Sequence, residues 1–166
     1  MEINGLPAHV LVIHAVVVFV PLSAFVALLY ALMPRWRWAT RWLTVGFGTL
    51  ALGGVLAAYF TGKNFKDRFA KNDISIPDAL DRHAERAEVL LWLTIVYFVI
   101  LLAAAWGLGG PSGLKSDRGA RGRHDPLIEW SLTAMVVVLA VAEILMTIAV
   151  GDAGAESVWG QWADFK

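Results

Sequence analysis

The chain contains no cysteine. That excludes disulfides, thiolate metal sites, iron–sulfur ligation by this chain and a cysteine nucleophile. Charge is also scarce: 17% of the 166 residues are Asp, Glu, Lys or Arg, against about 25% in ordinary soluble domains. The formal net charge is zero, so nothing favours a general polyanion-binding surface or a nucleic-acid partner. The signatures of soluble enzymes are missing too. There is no P-loop, no Rossmann glycine fingerprint, no G-x-S-x-G and no H-E-x-x-H, and no catalytic residue is assigned.

What the chain has in excess is apolar surface, with 58% hydrophobic residues. A helix that crosses a bilayer needs about 20 mostly apolar residues. Four stretches qualify: Val10 to Met33, Trp42 to Thr61, Val89 to Leu108 and Leu127 to Val150. Backbone in lipid must satisfy its own hydrogen bonds, so each is expected to be helical. The expectation is an all-α, integral membrane four-helix bundle of up-down topology, a single domain over residues 1–166. Its helices run about 10–33, 42–61, 77–108 and 127–150, and residues 151–166 form an interfacial tail bearing Trp159 and Trp162.

Residues 1–8 carry only the charge of Glu2, while Arg35, Arg37 and Arg41 follow the first apolar stretch. That is the reverse of a signal peptide and reads as an uncleaved anchor with its N-terminus outside. The last loop adds Lys115, Arg118, Arg121 and Arg123, so both termini are expected outside. Trp36, Trp38, Trp42, Trp106 and Trp130 mark the cytoplasmic boundary as an aromatic belt. Ser75-Ile76-Pro77-Asp78 is a helix-start signal. Helix 3 is therefore expected to begin near Pro77 and protrude from the membrane, with Asp78 and Arg82 spaced to pair.

Ionisable groups inside apolar helices are costly and each needs a reason. His14 lies inside helix 1 and His9 at its start; His83 precedes the apolar part of helix 3. Glu143 lies inside helix 4 and Asp152 just beyond it. With alternating helix directions, His9, His14, His83 and Asp152 all fall at one interface, whereas His124 falls at the other. His83, Ala87, Leu90, Thr94 and Tyr97 form one stripe of helix 3. Glu129, Thr133, Glu143 and Thr147 lie close to another on helix 4. Gly46, Gly53 and Ala57 form a small-residue stripe on helix 2, suited to close packing.

Histidines on different helices can ligate haem iron, or zinc or copper with a carboxylate completing the site. His9 and His14 are about 140° apart around a helix, so the expected pair is one histidine of helix 1, His14 for preference, with His83. His9 and Asp152 serve as alternative ligands or orienting partners, and Glu143 as a proton-handling group. The competing account is histidines that hydrogen-bond to backbone and water. A single-sided site leaves no second redox centre near the other face, which disfavours a two-haem carrier across a bilayer of about 30 Å.

Three separated motifs carry a resemblance. Ile3-Asn4-Gly5-Leu6-Pro7-Ala8-His9, followed by Val12-Ile13-His14 and Pro21-Leu22, resembles the opening of the bacterial membrane proteins grouped as domain of unknown function 2231. Arg82-His83-Ala84-Glu85 is similar to that family's R-H-A-E. Gly151-Asp152-Ala153-Gly154-Ala155 with Val158-Trp159 is similar to its closing G-H-S-G-A-x-x-V-W. Val10 stands where the family often has Pro, and Asp152 where it often has His. The resemblance implies a bacterial plasma membrane protein close to electron transfer, since similar domains are joined to Rieske-type or cytochrome-like modules. The resulting expectation is one haem b or divalent metal site at the outer interface, serving a respiratory or other membrane complex. The alternatives are a non-catalytic structural or assembly subunit, and a conductor of protons or a small solute along helices 3 and 4.

Overall fold

The computed structural model describes residues 2–3, 6–72, 77–110 and 125–160. Four helices carry almost all of it: α1 Ala8–Leu32, α2 Arg37–Lys71, α3 Asp78–Gly107 and α4 Pro126–Trp159. All four are long and apolar enough to cross a membrane. A two-residue antiparallel bridge pairs β1 (Glu2–Ile3) with β2 (Leu6–Pro7) just ahead of α1. Each helix packs against two neighbours, leaving α1 diagonal to α3 and α2 diagonal to α4.

Local chemistry sets the helix ends. α3 starts after Pro77, whose extended backbone (φ −63°, ψ 144°) turns the chain into the first helical turn. Asp78 and Asp81 in that turn favour the positive end of the helix dipole. Ser75, the expected cap, lies outside the described residues. α4 starts with Asp125, whose carboxylate accepts from the Leu127 N–H at 2.8 Å, and with Pro126 in its first turn.

Two helices are longer than their apolar stretches. α2 runs on to Lys71, and α4 runs through Gly151 to Gly154 as far as Trp159. The segment 151–159, expected as a tail, is therefore helix, because its flank is occupied by α3: Arg82 bonds Glu156 at 2.8 Å, and Arg86 donates to the Ala149 carbonyl at 3.0 Å. Arg82 thus pairs across to α4 rather than with Asp78. Trp162 and His124 lie outside the described residues.

The interior is layered. Val16, Val20, Ala51, Val55, Leu90 and Leu91 fill one half; Ala27, Tyr30, Leu101, Ala104, Val136 and Ala140 belong to the other. The packing face of α2 differs from the expected stripe. Gly46 and Gly53 have nothing within 4 Å, and the tight contact is at Gly48, where a Cβ would stand 2.9 Å from the Leu101 Cδ1. The buried residues Thr44, Gly48, Ala51 and Val55 define the true inward face, rotated from that of Gly46, Gly53 and Ala57. Outward, Val17, Phe25, Trp42, Phe60, Trp92, Val138 and Leu145 are exposed, so the helix flanks carry large apolar side chains on the outside of the bundle.

Arg37 closes one end. Its buried guanidinium donates to the Tyr30 carbonyl at 3.2 Å and the Ala31 carbonyl at 3.0 Å, to the Gly109 carbonyl, and to Glu129 at 3.3 Å. Tyr30 and Ala31 belong to the last turn of α1, whose carbonyls have no partner within the helix. Glu129 also accepts from the Gly109 N–H at 3.0 Å. One cation thus ties α1, α2, the segment after α3, and α4. Arg37→Ala should lower stability by about 3–5 kcal/mol, as removal of one partner from a buried ion pair does, whereas exposed Arg35→Ala should cost less than about 0.5 kcal/mol. Thermal unfolding followed by circular dichroism compares the two, and equal losses would refute the clamp.

Candidate functional site

At the end opposite Arg37, the imidazoles of His9 on α1 and His83 on α3 meet edge to face, with ring centroids 6.3 Å apart and planes at 75°. Each ring is anchored by its Nδ1 to a backbone carbonyl of the neighbouring helix. His9 Nδ1 lies 3.1 Å from the Ala58 carbonyl of α2; His83 Nδ1 lies 3.0 Å from the Val150 carbonyl of α4. A carbonyl only accepts, so both Nδ1 atoms carry a proton and donate, and neither Nε2 has a hydrogen-bond partner among the described residues. Thr61 strengthens the first anchor. Its hydroxyl donates to the Ala57 carbonyl at 2.7 Å and accepts from His9 Nδ1 at 3.2 Å.

A glycine backs each ring. A Cβ on Gly62 would stand 3.0 Å from His9 Cε1, and one on Gly154 would stand 3.1 Å from His83 Cε1. Both lie four residues beyond the carbonyl that holds the same ring, so anchor and cradle come from successive turns of one helix face. A neutral imidazole with Nδ1–H fixed on a carbonyl and Nε2 exposed is the usual arrangement of a metal-ligating histidine. One metal atom bonded to a nitrogen of each ring, at roughly 2.0–2.1 Å per bond, separates ring centroids by about 6 Å. The 6.3 Å centroid separation of the pair is of that size.

The other expected ligands lie elsewhere. His14 is exposed, and its Nδ1 donates to the Val10 carbonyl of its own helix at 2.8 Å. The ring partner of His83 is His9, because the α1 face that turns toward α3 at this level carries residue 9, and residue 14 points about 140° away. Asp152 is exposed. Among the described residues, no group of three His, Asp or Glu side chains is placed to hold one metal ion.

Glu143 is fully buried on α4, about 10 Å deeper along that helix than Val150. Its Oε2 accepts from the Thr94 hydroxyl at 3.2 Å, and among the described residues neither its Oε1 nor the Thr147 hydroxyl one turn away has a partner. Nearby, Ser23 and Tyr97 hydroxyls hydrogen-bond at 3.2 Å across the diagonal. The stripe expected on α3 is real in its inner part: Leu90, Thr94 and Tyr97 are all buried.

The sequence reading missed Thr61, Gly62 and the two carbonyl anchors, and placed Gly154 in the closing motif without a role. Backbone acceptors leave no trace in residue identity. Gly62 and Gly154 did carry a signal, since each is a glycine inside a helix where Ala would be favoured by about 1 kcal/mol. No protein-family model, curated protein or solved structure matches the chain.

The single Thr94 hydroxyl proton is shared between the Leu90 carbonyl at 2.7 Å and Glu143, so Thr94 keeps a partner without Glu143. Replacing Glu143 by Leu should therefore leave stability unchanged or raised, while Thr94→Val, which strips the carboxyl of its donor, should cost about 1–3 kcal/mol. Unfolding of the two variants tests this. A large loss in Glu143→Leu would make the glutamate a structural element instead of a reserved functional group.

Proposed function

We propose that this protein is a multi-pass protein of the bacterial plasma membrane, with both termini on the outer side, that holds one haem b or metal ion at its outer interface and serves an electron-transfer chain. The observation that carries the reading is the His9–His83 pair: two imidazoles from diagonal helices, 6.3 Å apart, both tied through Nδ1, which leaves Nε2 as the ligating atom of each ring. The membrane part rests on four helices of spanning length and on apolar outward flanks, which bilayer hydrocarbon would cover. The resemblance to the domain of unknown function 2231 family supports a redox-linked setting.

In this reading the bound group supplies the one-electron chemistry. The protein orients it: the Ala58 and Val150 carbonyls fix the ring tautomers and raise the basicity of the ligating nitrogens. Its place at one end of the bundle gives a partner at the outer surface a short path to it. Glu143, inside the bundle with one oxygen unpartnered among the described residues, is the group suited to taking up a proton when charge at the site changes.

A reduced-minus-oxidised absorbance spectrum, with metal analysis of the same detergent-purified sample, tests the reading. Haem b bands, or one metal per chain, should be present in the wild type, be lost in His9→Ala and His83→Ala, and persist in His14→Ala. A colourless, metal-free protein after expression with ample haem and metals would refute it and leave a structural subunit of a larger complex as the better account.

A further inference from the structure

The α1–α3 contacts share one register. His9 meets His83, Ser23 bonds Tyr97, and the Tyr30 hydroxyl donates to the Ala104 carbonyl at 3.0 Å. In each case the two residues are 74 positions apart. The buried faces follow the same shift: Val16, Val20, Ser23, Ala27, Tyr30 and Ala31 correspond to Leu90, Thr94, Tyr97, Leu101, Ala104 and Ala105, all buried.

The second pair of helices obeys a shift of 92. The salt-bridged Arg37 and Glu129 are 92 apart. Thr44, Gly48, Ala51 and Val55 correspond in the same way to the buried Val136, Ala140, Glu143 and Thr147. So do the two carbonyls that anchor the histidines, Ala58 and Val150, and the two glycines that back them, Gly62 and Gly154. The shifts differ because the connection between α3 and α4 is longer than that between α1 and α2. Parallel repeats about an axis along the membrane normal are a known membrane-protein architecture.

We propose that the bundle consists of two equivalent helical hairpins, α1–α2 and α3–α4, related by a pseudo-twofold axis along its length, and that His9 and His83 are the two axial ligands of a single haem b iron on that axis. This deepens the proposed function and rests on it. The pairing is symmetric down to the Nδ1 anchors and the backing glycines, so an occupant that offers two equivalent coordination positions suits it best. Haem iron does so, because the porphyrin supplies the other four nitrogens and two imidazoles complete the set. A structural zinc site needs four protein ligands, and no third described side chain joins the pair. Elsewhere on the axis the repeats have diverged. Glu143 faces inward where the first hairpin has Ala51, which confines the polar group to one half.

The test is electron paramagnetic resonance and absorbance of the full-length, detergent-purified protein loaded with ferric haem b. The expected result is one haem per chain, six-coordinate and low-spin in the wild type, a readout that depends on no variant. His9→Gly and His83→Gly should each give a high-spin haem that added imidazole returns to low-spin. Gly62→Ala and Gly154→Ala should each weaken haem binding about tenfold or more, within a factor of about three of each other. A high-spin wild-type haem, or dependence on only one histidine, would overturn the two-ligand proposal while sparing a haem site. Zinc or copper held through both histidines without haem binding would overturn the haem assignment and spare the site. Binding of none of these would sink both.

Discussion

The register between α1 and α3 governs the rest of the molecule. These helices lie on the bundle diagonal and reach each other through His9 with His83, Ser23 with Tyr97, and Tyr30 with the Ala104 carbonyl. A shift of one residue turns a helix face by about 100° and would break all three contacts at once, leaving buried hydroxyls without partners at about 1–3 kcal/mol each. The same register brings the imidazoles together at one end. At the other end Arg37 and Glu129 fasten the α2–α4 diagonal, so the two diagonals are pinned at opposite ends.

Polar groups are graded along the bundle axis. The histidine end is half-buried, with the Lys66–Asp81 and Arg82–Glu156 pairs around it. Exposed pairs like these contribute little stability, roughly 0–1 kcal/mol, but they set a hydrated charged collar around the site. The middle holds the buried Glu143 and Thr94. The far end is the Arg37 clamp, whose every bond satisfies a helix terminus or a connecting segment. The buried ion pair lies at one end and the paired imidazoles at the other.

Much of this is legible in the sequence, for stated reasons. Apolar length fixed the number of helices, and Pro77 marked one of their starts. Helix direction alone brought His9, His14 and His83 to one end. What sequence reasoning lacked was rotation about each helix axis. His9 and His14 lie on different faces, and only packing decides which one turns inward; the same uncertainty put Gly46 and Gly53 on a face that proved open. Arg37 read as one of three loop arginines marking a membrane side, yet it is the buried clamp, because its partners are carbonyls of residues 30, 31 and 109. Residues 151–159 read as tail because the apolar stretch ends at Val150, and contact with α3 accompanies the helix beyond it.

The account stands on His9 and His83 meeting across the diagonal. The chain has no cysteine of its own, so cysteines placed at positions 9 and 83 would be the only thiols present. Cross-linking of that double variant in membranes with a short thiol reagent tests the claim most directly. Efficient intramolecular linkage of 9 to 83, with little linkage of 14 to 83, is the predicted result. Linkage of 14 to 83 in preference to 9 to 83 would contradict the register and, with it, the site.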